Sequence, residues 1–498
     1  MSTIDKGMSF FSKPFSGGVH PIANKHLTNH ESGRLQTFTP KRVYQSLLLP
    51  NGTHLRPVVN EGDEVMRGQL IAVGSNGMQP PMHASVNGRV SAIKSYSANH
   101  PSHIKANTIV IDSFNNQSWS KDYRSRSVAN LEPEAIENLV EKAGIVGLGG
   151  AAFPTGLKIK FARRAGVETL IINGGECEPY ITCDDRLMKD FTAEVVTGIR
   201  LLLTAVGAKR ALVGIEDNKP VSLERMRAAV ADDSNIEVHS VPTLYPMGSA
   251  KHLVKALTGI TVPAGTRTTD LGLVVNNIGT ARAVYHAVRW GRPLVSKVVT
   301  ISGAGIERPM NVEVPIGTRV RDILQYCGGV SLTCERLVLG GPMMGDVVTD
   351  IDTPIDKTVN GLLALTSEEM PRSEVQACIR CGQCVRACPM GLMPFMMRSA
   401  CYASEYERAQ DLGVKTCMSC GACSYVCPSN IPLVHYFQHA KGVLTQRQRS
   451  QHRQARAKEL SQAREQRLRL EAEQKKAAKA NKRRRRTSSR REQKEVDA

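Results

Sequence analysis

Cys378-Ile-Arg-Cys381-Gly-Gln-Cys384-Val-Arg-Ala-Cys388-Pro389 and Cys417-Met-Ser-Cys420-Gly-Ala-Cys423-Ser-Tyr-Val-Cys427-Pro428 carry eight of the 13 cysteines in this 498-residue chain. Each run reads C-x2-C-x2-C-x3-C-P, the spacing that holds cubane [4Fe–4S] clusters. A tight loop points three thiolates at one cube, and small residues let backbone N–H groups approach its sulfurs. The fourth cysteine, just before a proline, starts a helix and reaches the other cube. This reading groups Cys378, Cys381, Cys384 and Cys427 on one cluster, and Cys417, Cys420, Cys423 and Cys388 on a second. C-x2-C pairs are also common in zinc sites. Two complete four-cysteine repeats, each closed by proline, argue against zinc and for one-electron transfer.

A glycine-rich stretch far upstream suggests an electron source. It reads Gly144-Ile-Val-Gly147-Leu-Gly149-Gly150-Ala-Ala-Phe153-Pro154-Thr155-Gly156-Leu-Lys158. Consecutive glycines let backbone N–H groups converge on an anion, and a following lysine neutralises phosphate. The spacing is neither G-x-G-x-x-G nor G-x-x-x-x-G-K-[ST]. Taken alone, the loop is a phosphate cradle or a tight structural turn. One predicted helix and the strand ETLIING lead on to Asn173-Gly174-Gly175-Glu176-Cys177-Glu178-Pro179-Tyr180. Its two glutamates are nucleotide contacts or an ordinary solvated turn.

Working outward, a multidomain α/β chain emerges, as its length requires. Residues 1–39 form an irregular N-terminal arm. Residues 40–125 are short β-branched runs punctuated by Glu61-Gly62-Asp63, Arg67-Gly68-Gln69 and Asn87-Gly88-Arg89, which predicts hairpins. The pattern resembles the barrel-sandwich hybrid of biotinyl and lipoyl domains. Its central segment GSNGMQPPMHAS has no lysine to carry a cofactor, so a structural or docking module is expected. Residues 126–296 alternate predicted helices (190–206, 221–231, 249–257) with apolar runs, the mark of a parallel sheet covered on both faces. Residues 297–350 read as a small α+β module and 365–440 as the cluster domain. The last segment, 445–498, is a basic tail.

The two glycine and glutamate blocks together resemble the flavin-binding subunit of respiratory complex I, whose GxGGAxFPTGLK loop and N-x-x-E-x-E-P block hold FMN and NADH. Adding Tyr245-Pro246-Met247-Gly248-Ser249-Ala250-Lys251 and the double cysteine block, the order of motifs is similar to the RnfC subunit of the Rnf (Rsx) ion-translocating oxidoreductase complex. This resemblance covers roughly residues 10 to 440. Residues 298–345 look like the soluble-ligand-binding β-grasp unit of the complex I flavoprotein, and the cysteine block like a two-cluster ferredoxin. The first subunit of the sodium-pumping quinone reductase is also similar but lacks the ferredoxin block. The glutamates that follow the tyrosine motif in complex I have no counterpart here.

The resemblance implies a Rossmann-like FMN/NADH domain in a relay. NADH reduces a noncovalent FMN, and single electrons pass through two [4Fe–4S] clusters to an iron–sulfur subunit of the same membrane complex, onward toward ferredoxin. Gly147, Gly149, Gly150, Thr155 and Lys158 are expected at the FMN phosphate and ring. Asn173 and Glu176 are expected at ribityl or nicotinamide, with the catalytic position at Glu178. The implied location is peripheral, on the cytoplasmic face of the bacterial inner membrane. A different class of reading is a cluster-only electron-transfer adapter that binds no nucleotide.

Other features are expected to be plain. Cys177 and Cys183 read as buried thiols, Cys327, Cys334 and Cys401 as packing residues, and His20, His26 and His30 as loop residues. No apolar run reaches the roughly 18 residues that cross a bilayer, and no secretory leader is evident. Cysteines spaced as ligands rather than as a disulfide framework fit a reducing compartment. The formal charge of +19 first suggests nucleic acid. However, residues 445–498 hold 19 Lys+Arg against 7 Asp+Glu, leaving only +7 on the rest. A solvated helix or disordered segment drawn to anionic lipid is expected there, and no nucleic acid.

Overall fold

In the computed structural model, residues 14–29, 35–75, 78–100, 102, 104–150, 152–370 and 374–496 are described, with side chains to 483. His30 lies outside the described residues. Two units are described separately. The first holds residues up to 395 together with 416–434; the second holds 396–415 and 435 onward.

The apolar runs predicted as strands form a four-stranded parallel sheet: β1 (Thr169–Gly174), β2 (Arg210–Glu216), β3 (Ile236–Val241) and β4 (Leu273–Asn277), in the order β3-β2-β1-β4. Alternate residues along each strand enter different cores, because successive side chains point to opposite faces. Leu170, Ile172, Val213 and Val274 join one core with helices α1 (Pro133–Lys142), α2 (Thr155–Arg164), α4 (Thr192–Val206) and α7 (Ile278–Trp290). Ile171, Leu212 and Leu273 face the other, with Leu253 and Val254 of helix α6 (Ala250–Thr258). Helices α3 (Cys183–Asp190) and α5 (Pro220–Ala229) complete the layer order. Coverage on both faces explains why these strands read as continuous apolar runs. The binding edge of such a sheet is its carboxyl end, here Gly174, Glu216, Val241 and Asn277.

The predicted hairpins make a four-stranded and a three-stranded sheet closed over Val43, Ile71, Val90, Ile109 and Ile111, all fully buried. The next module is larger than its sequence suggests. Its six-stranded sheet takes Gln36–Thr37 from the arm at one edge and Gly361–Thr366 in its middle, beside Ser296–Ser302 and Cys334–Leu339. The polar, irregular connection after residue 350 looks like the end of the module in the sequence, whereas Gly361–Thr366 beyond it is buried throughout.

Both cysteine runs fold alike. The residue before the second cysteine has positive φ in each (Arg380 +56°, Ser419 +58°), as has the glycine after it (Gly382 +75°, Gly421 +82°). Short helices Gln383–Arg386 and Ala422–Tyr425 follow. In the second unit, Tyr406 hydroxyl meets His439, and Arg398 lies over the rings of Tyr402 and Tyr436 at 4.6 and 5.2 Å. The basic tail continues a helix, Leu433–Val496, that starts before residue 445. No helix among the described residues is long and apolar enough to cross a membrane.

Candidate functional site

The glycine loop folds back on itself: Gly147 N–H donates to Phe153 C=O at 2.9 Å, and a bridge joins Val146 to Pro154. Lys357 Nζ anchors its start on Gly144 C=O at 2.8 Å. Gly150 has φ +114° with open space where a Cβ would stand, a conformation essentially reserved for glycine. Gly149 lies against Asn277, whose Cβ is 3.5 Å from the Cβ position of this glycine. Thr155 opens α2, and its hydroxyl is buried without a partner. Lys158, one turn on, reaches back across the loop to Val275 C=O at 3.1 Å and Asn276 Oδ1 at 3.4 Å. Burial lowers its pKa to about 8.

The carboxylate loop follows β1. Asn173 is used internally: its Nδ2 donates to Gly248 C=O at 2.8 Å, while its Oδ1 accepts from Gly175 N–H at 3.0 Å. It thus ties the glutamate loop to the Tyr-Pro-Met-Gly-Ser stretch. Glu176 is buried and accepts N–H groups of Asp184 (2.8 Å) and Asp185 (3.4 Å), capping α3, with the Cys183 thiol on the same carboxylate. A carboxylate at a helix N-terminus complements its exposed N–H groups and dipole. Burial and this neighbouring carboxylate push Asp184 upward. Glu178 is poised differently. One oxygen accepts Met343 N–H at 3.1 Å, the other is buried without a partner, and burial raises its pKa to about 7. An orphaned buried acceptor of this kind is costly unless a ligand or a proton satisfies it.

Several residues at this edge are not marked in the sequence as site residues. Lys25, from the arm, donates to the carbonyls of Glu176 (2.7 Å), Glu178 (2.9 Å) and Ile181 (2.5 Å), stapling the glutamate loop. Nothing local in the sequence points to it. Asn276 Nδ2 is buried and unpartnered, and Asn277 caps α7 through Gly279 N–H at 2.8 Å while its Nδ2 bonds Asp184 at 2.6 Å. An Asn-Asn pair between a strand and a helix is the available signal. Buried Lys219 pairs with Glu216 at 2.6 Å beneath the same edge. Of the plain cysteines, Cys183, Cys327 and Cys401 are buried, while Cys177 and Cys334 are partly so. His20 and His26 are exposed.

The cysteines gather as two sets. Cys384 lies in the field of Cys378, Cys381 and Cys427, and Cys423 in that of Cys420, Cys417 and Cys388. Backbone N–H groups reach the sulfurs, Ser419 to Cys417 at 3.3 Å and Leu392 to Cys388 at 3.4 Å. All-thiol donor sets ringed by N–H groups suit iron–sulfur chemistry. The sets differ in exposure: in one, Cys378 and Cys381 are exposed, Cys427 half-buried and Cys384 buried; in the other, none is exposed, with Cys388 and Cys417 half-buried and Cys420 and Cys423 buried. The orphaned Thr155 Oγ1, Asn276 Nδ2 and Glu178 Oε1, with open backbone at Gly150, in turn suit a large polar ligand bearing phosphate.

Four family models match: the RnfC barrel sandwich hybrid domain over residues 13–115, the Nuo51 FMN-binding domain over 140–286, the SLBB domain over 298–347 and the 4Fe-4S dicluster domain over 370–428. The RnfC subunit of the ion-translocating oxidoreductase complex of Rhodobacter capsulatus is 46% identical over 438 residues, 88% of this chain and 84% of that protein. Among solved structures, NAD+-reducing [NiFe]-hydrogenase matches in its H2-reduced state (20% identity, TM-score 0.45) and its air-oxidised state (18%, 0.46). Each covers 62% of both chains.

Proposed function

The chain belongs to the RnfC family of ion-translocating oxidoreductase complexes, with FMN-binding and 4Fe–4S domains that make it an electron-transfer subunit, and from there we propose that it oxidises NADH and passes single electrons through two clusters to an iron–sulfur partner subunit. Bound at this edge, FMN supplies the exchange between two-electron and one-electron chemistry, and the cubanes supply one-electron relay sites.

The protein's own part is positioning and charge. The N–H groups of Gly149 and Gly150 and the Lys158 ammonium hold phosphate, those of Gly147 and Leu148 being taken by Phe153 C=O and Thr280 Oγ1; Thr155 and Asn276 offer a buried hydroxyl and amide. Asn173 and Glu176 fix the loops around them. Glu178, with a carboxyl that titrates at about 7, holds or releases a proton at Oε1 beside the nicotinamide, within the range useful for acid–base work. The observation that carries the reading is the continuity from Glu178 to one cysteine loop. Glu178 binds Met343 N–H at 3.1 Å, and the Met343 carbonyl stands 2.6 Å from where a Cβ on Gly421 would lie. A cluster held by Cys388, Cys417, Cys420 and Cys423 would supply the one-electron site next to the glutamate loop, and one held by Cys378, Cys381, Cys384 and Cys427 the site that opens to solvent at Cys378 and Cys381.

On this reading the subunit is peripheral, at the cytoplasmic face of the inner membrane. The exposed basic helix is drawn to anionic lipid by about 1 kcal/mol per Lys or Arg near the surface, with no part for nucleic acid. Anaerobic titration of the purified, flavin-loaded chain with NADH tests it, read by flavin absorbance and cluster EPR. Reduction of clusters that disappears when FMN is stripped and returns when it is restored is the expected result. Clusters that dithionite reduces but NADH does not, with no flavin uptake, would leave a cluster-only adapter.

A further inference from the structure

The peptide carbonyls around the buried cysteine set are held from outside the cysteine block. Tyr245, 2% exposed, donates its hydroxyl to Cys420 C=O at 2.5 Å. His252 Nε2 lies 3.2 Å from Pro389 C=O, next to Cys388, and Gly18 N–H bonds Ala387 C=O at 3.1 Å. A carbonyl only accepts, so Nε2 carries the proton. The neutral ring then accepts at Nδ1 from Ser249 hydroxyl, 2.5 Å away, and Ser249 Oγ in turn accepts from His252 N–H. That chain of bonds fixes the ring's tautomer. The exposed cysteine set has weaker support: Arg386 to Cys381 C=O at 3.4 Å, and Ser429 to Ala377 C=O at 2.9 Å, both from within the block.

We propose that His252 and Tyr245 are positioning residues that aim backbone N–H groups at the sulfurs of the Cys388, Cys417, Cys420 and Cys423 site, and so raise its reduction potential above what the spacing alone would give. In a trans peptide the C=O of one residue and the N–H of the next point in opposite directions. Anchoring Pro389 C=O on His252 therefore turns Met390 N–H toward Cys388, whose sulfur accepts Leu392 N–H at 3.4 Å and feels Met390 N–H, while Gly391 N–H bonds Cys388 C=O at 3.2 Å. Anchoring Cys420 C=O on Tyr245 fixes the turn whose Ala422 N–H meets the Cys420 sulfur. Each N–H on a ligand sulfur stabilises the extra negative charge of the reduced cluster. The inference rests on the cluster assignment in the proposed function, but not on NADH.

The test is an EPR-monitored dithionite titration of the full chain with its clusters, comparing wild type with His252→Leu, His252→Gln and Tyr245→Phe. Cys378→Ser identifies which signal belongs to the other site. The expected result is a midpoint shifted to more negative potential in the buried-site signal alone, for His252→Leu and Tyr245→Phe. His252→Gln, which keeps an N–H donor, should return toward wild type. Unchanged midpoints, equal shifts in both signals, or a Gln variant as displaced as Leu would overturn the proposal. Should His252→Leu lose iron, Ser249→Ala replaces it: the same signal shifts the same way with iron content intact, and no shift overturns the idea. Dithionite bypasses flavin and NADH, so a chain that fails to oxidise NADH yet shows this shift refutes only the functional reading.

Discussion

Two loops of identical spacing and nearly identical backbone meet very different surroundings. Around Cys378 and Cys381 there is solvent; around Cys420 and Cys423 there are Tyr245, Met343 and the N-terminal arm. Motif spacing therefore dictates what the loops can bind, while their neighbours dictate which of them lies against the glutamate loop. A linear relay needs that asymmetry, because a cluster equally open on both sides would give electrons away before they reached the partner.

Ligand removal is the harshest way to break this contrast. Cys420→Ser and Cys378→Ser should each cost about half of the bound iron, since ligand loss empties one site. Their consequences should differ. Cys378→Ser leaves NADH-driven reduction of the remaining cluster intact, whereas Cys420→Ser abolishes NADH-driven cluster reduction while flavin still bleaches. Iron assay and EPR after NADH addition read the difference; identical behaviour of the two variants would break the proposed order.

The glycines after the second cysteine come next. Gly382 and Gly421 share positive φ, which costs an alanine about 1–2 kcal/mol. At Gly382 the nearest atom to a new Cβ is the tip of Arg386 at 3.6 Å, but at Gly421 it is the Met343 carbonyl at 2.6 Å. Gly421→Ala should therefore destabilise by about 3 kcal/mol or more through strain plus overpacking, and Gly382→Ala by about 1 kcal/mol. Denaturant unfolding of the cluster-loaded chain measures both.

The proposed flavin side also has a pH signature. Lys158 titrates at about 8, against 10.5 for an ordinary lysine, because burial penalises its charge. Between these values the unfolded chain binds more protons than the folded one, so stability of the flavin-free protein rises with pH across that window. Bound phosphate restores the charge, so FMN binding takes up a proton there. Affinity should fall by up to about tenfold per pH unit above pH 8, as read by flavin fluorescence titration. Lys158→Arg, charged throughout, should flatten the slope. NADH-driven reduction of both clusters should decline together, with dithionite reduction unaffected.

The legibility of the sequence follows the range of the interactions. The cysteine runs, the glycine loop and the apolar strands are legible because each is set by neighbours a few residues apart. Lys25, which staples Glu176 and Glu178 from 151 and 153 residues away, is not, because only the folded chain brings it there. Asn173 and Glu176 are legible as site residues, yet their bonds go to the protein, one bracing two loops and the other capping α3. Gly361–Thr366 falls outside its module for the same reason as Lys25: strand pairing across a long connection leaves no local periodicity.

The smallest effect lies at matched carbonyls. Cys381 C=O takes a 3.4 Å bond from exposed Arg386, where Cys420 C=O takes a 2.5 Å bond from buried Tyr245. A long bond to a solvated guanidinium exchanges readily with water, so its loss should cost about 0–1 kcal/mol. A phenol sealed from water leaves an unsatisfied carbonyl when it is removed, costing about 1–3 kcal/mol. Arg386→Ala should accordingly leave stability and the exposed cluster's midpoint nearly unmoved, with any residual shift vanishing in high salt, since screening acts on exposed charge. Tyr245→Phe should give a larger shift that salt does not erase. Equal, salt-insensitive shifts from both variants would mean that the two loops are held alike, and that their difference in exposure has no bearing on potential.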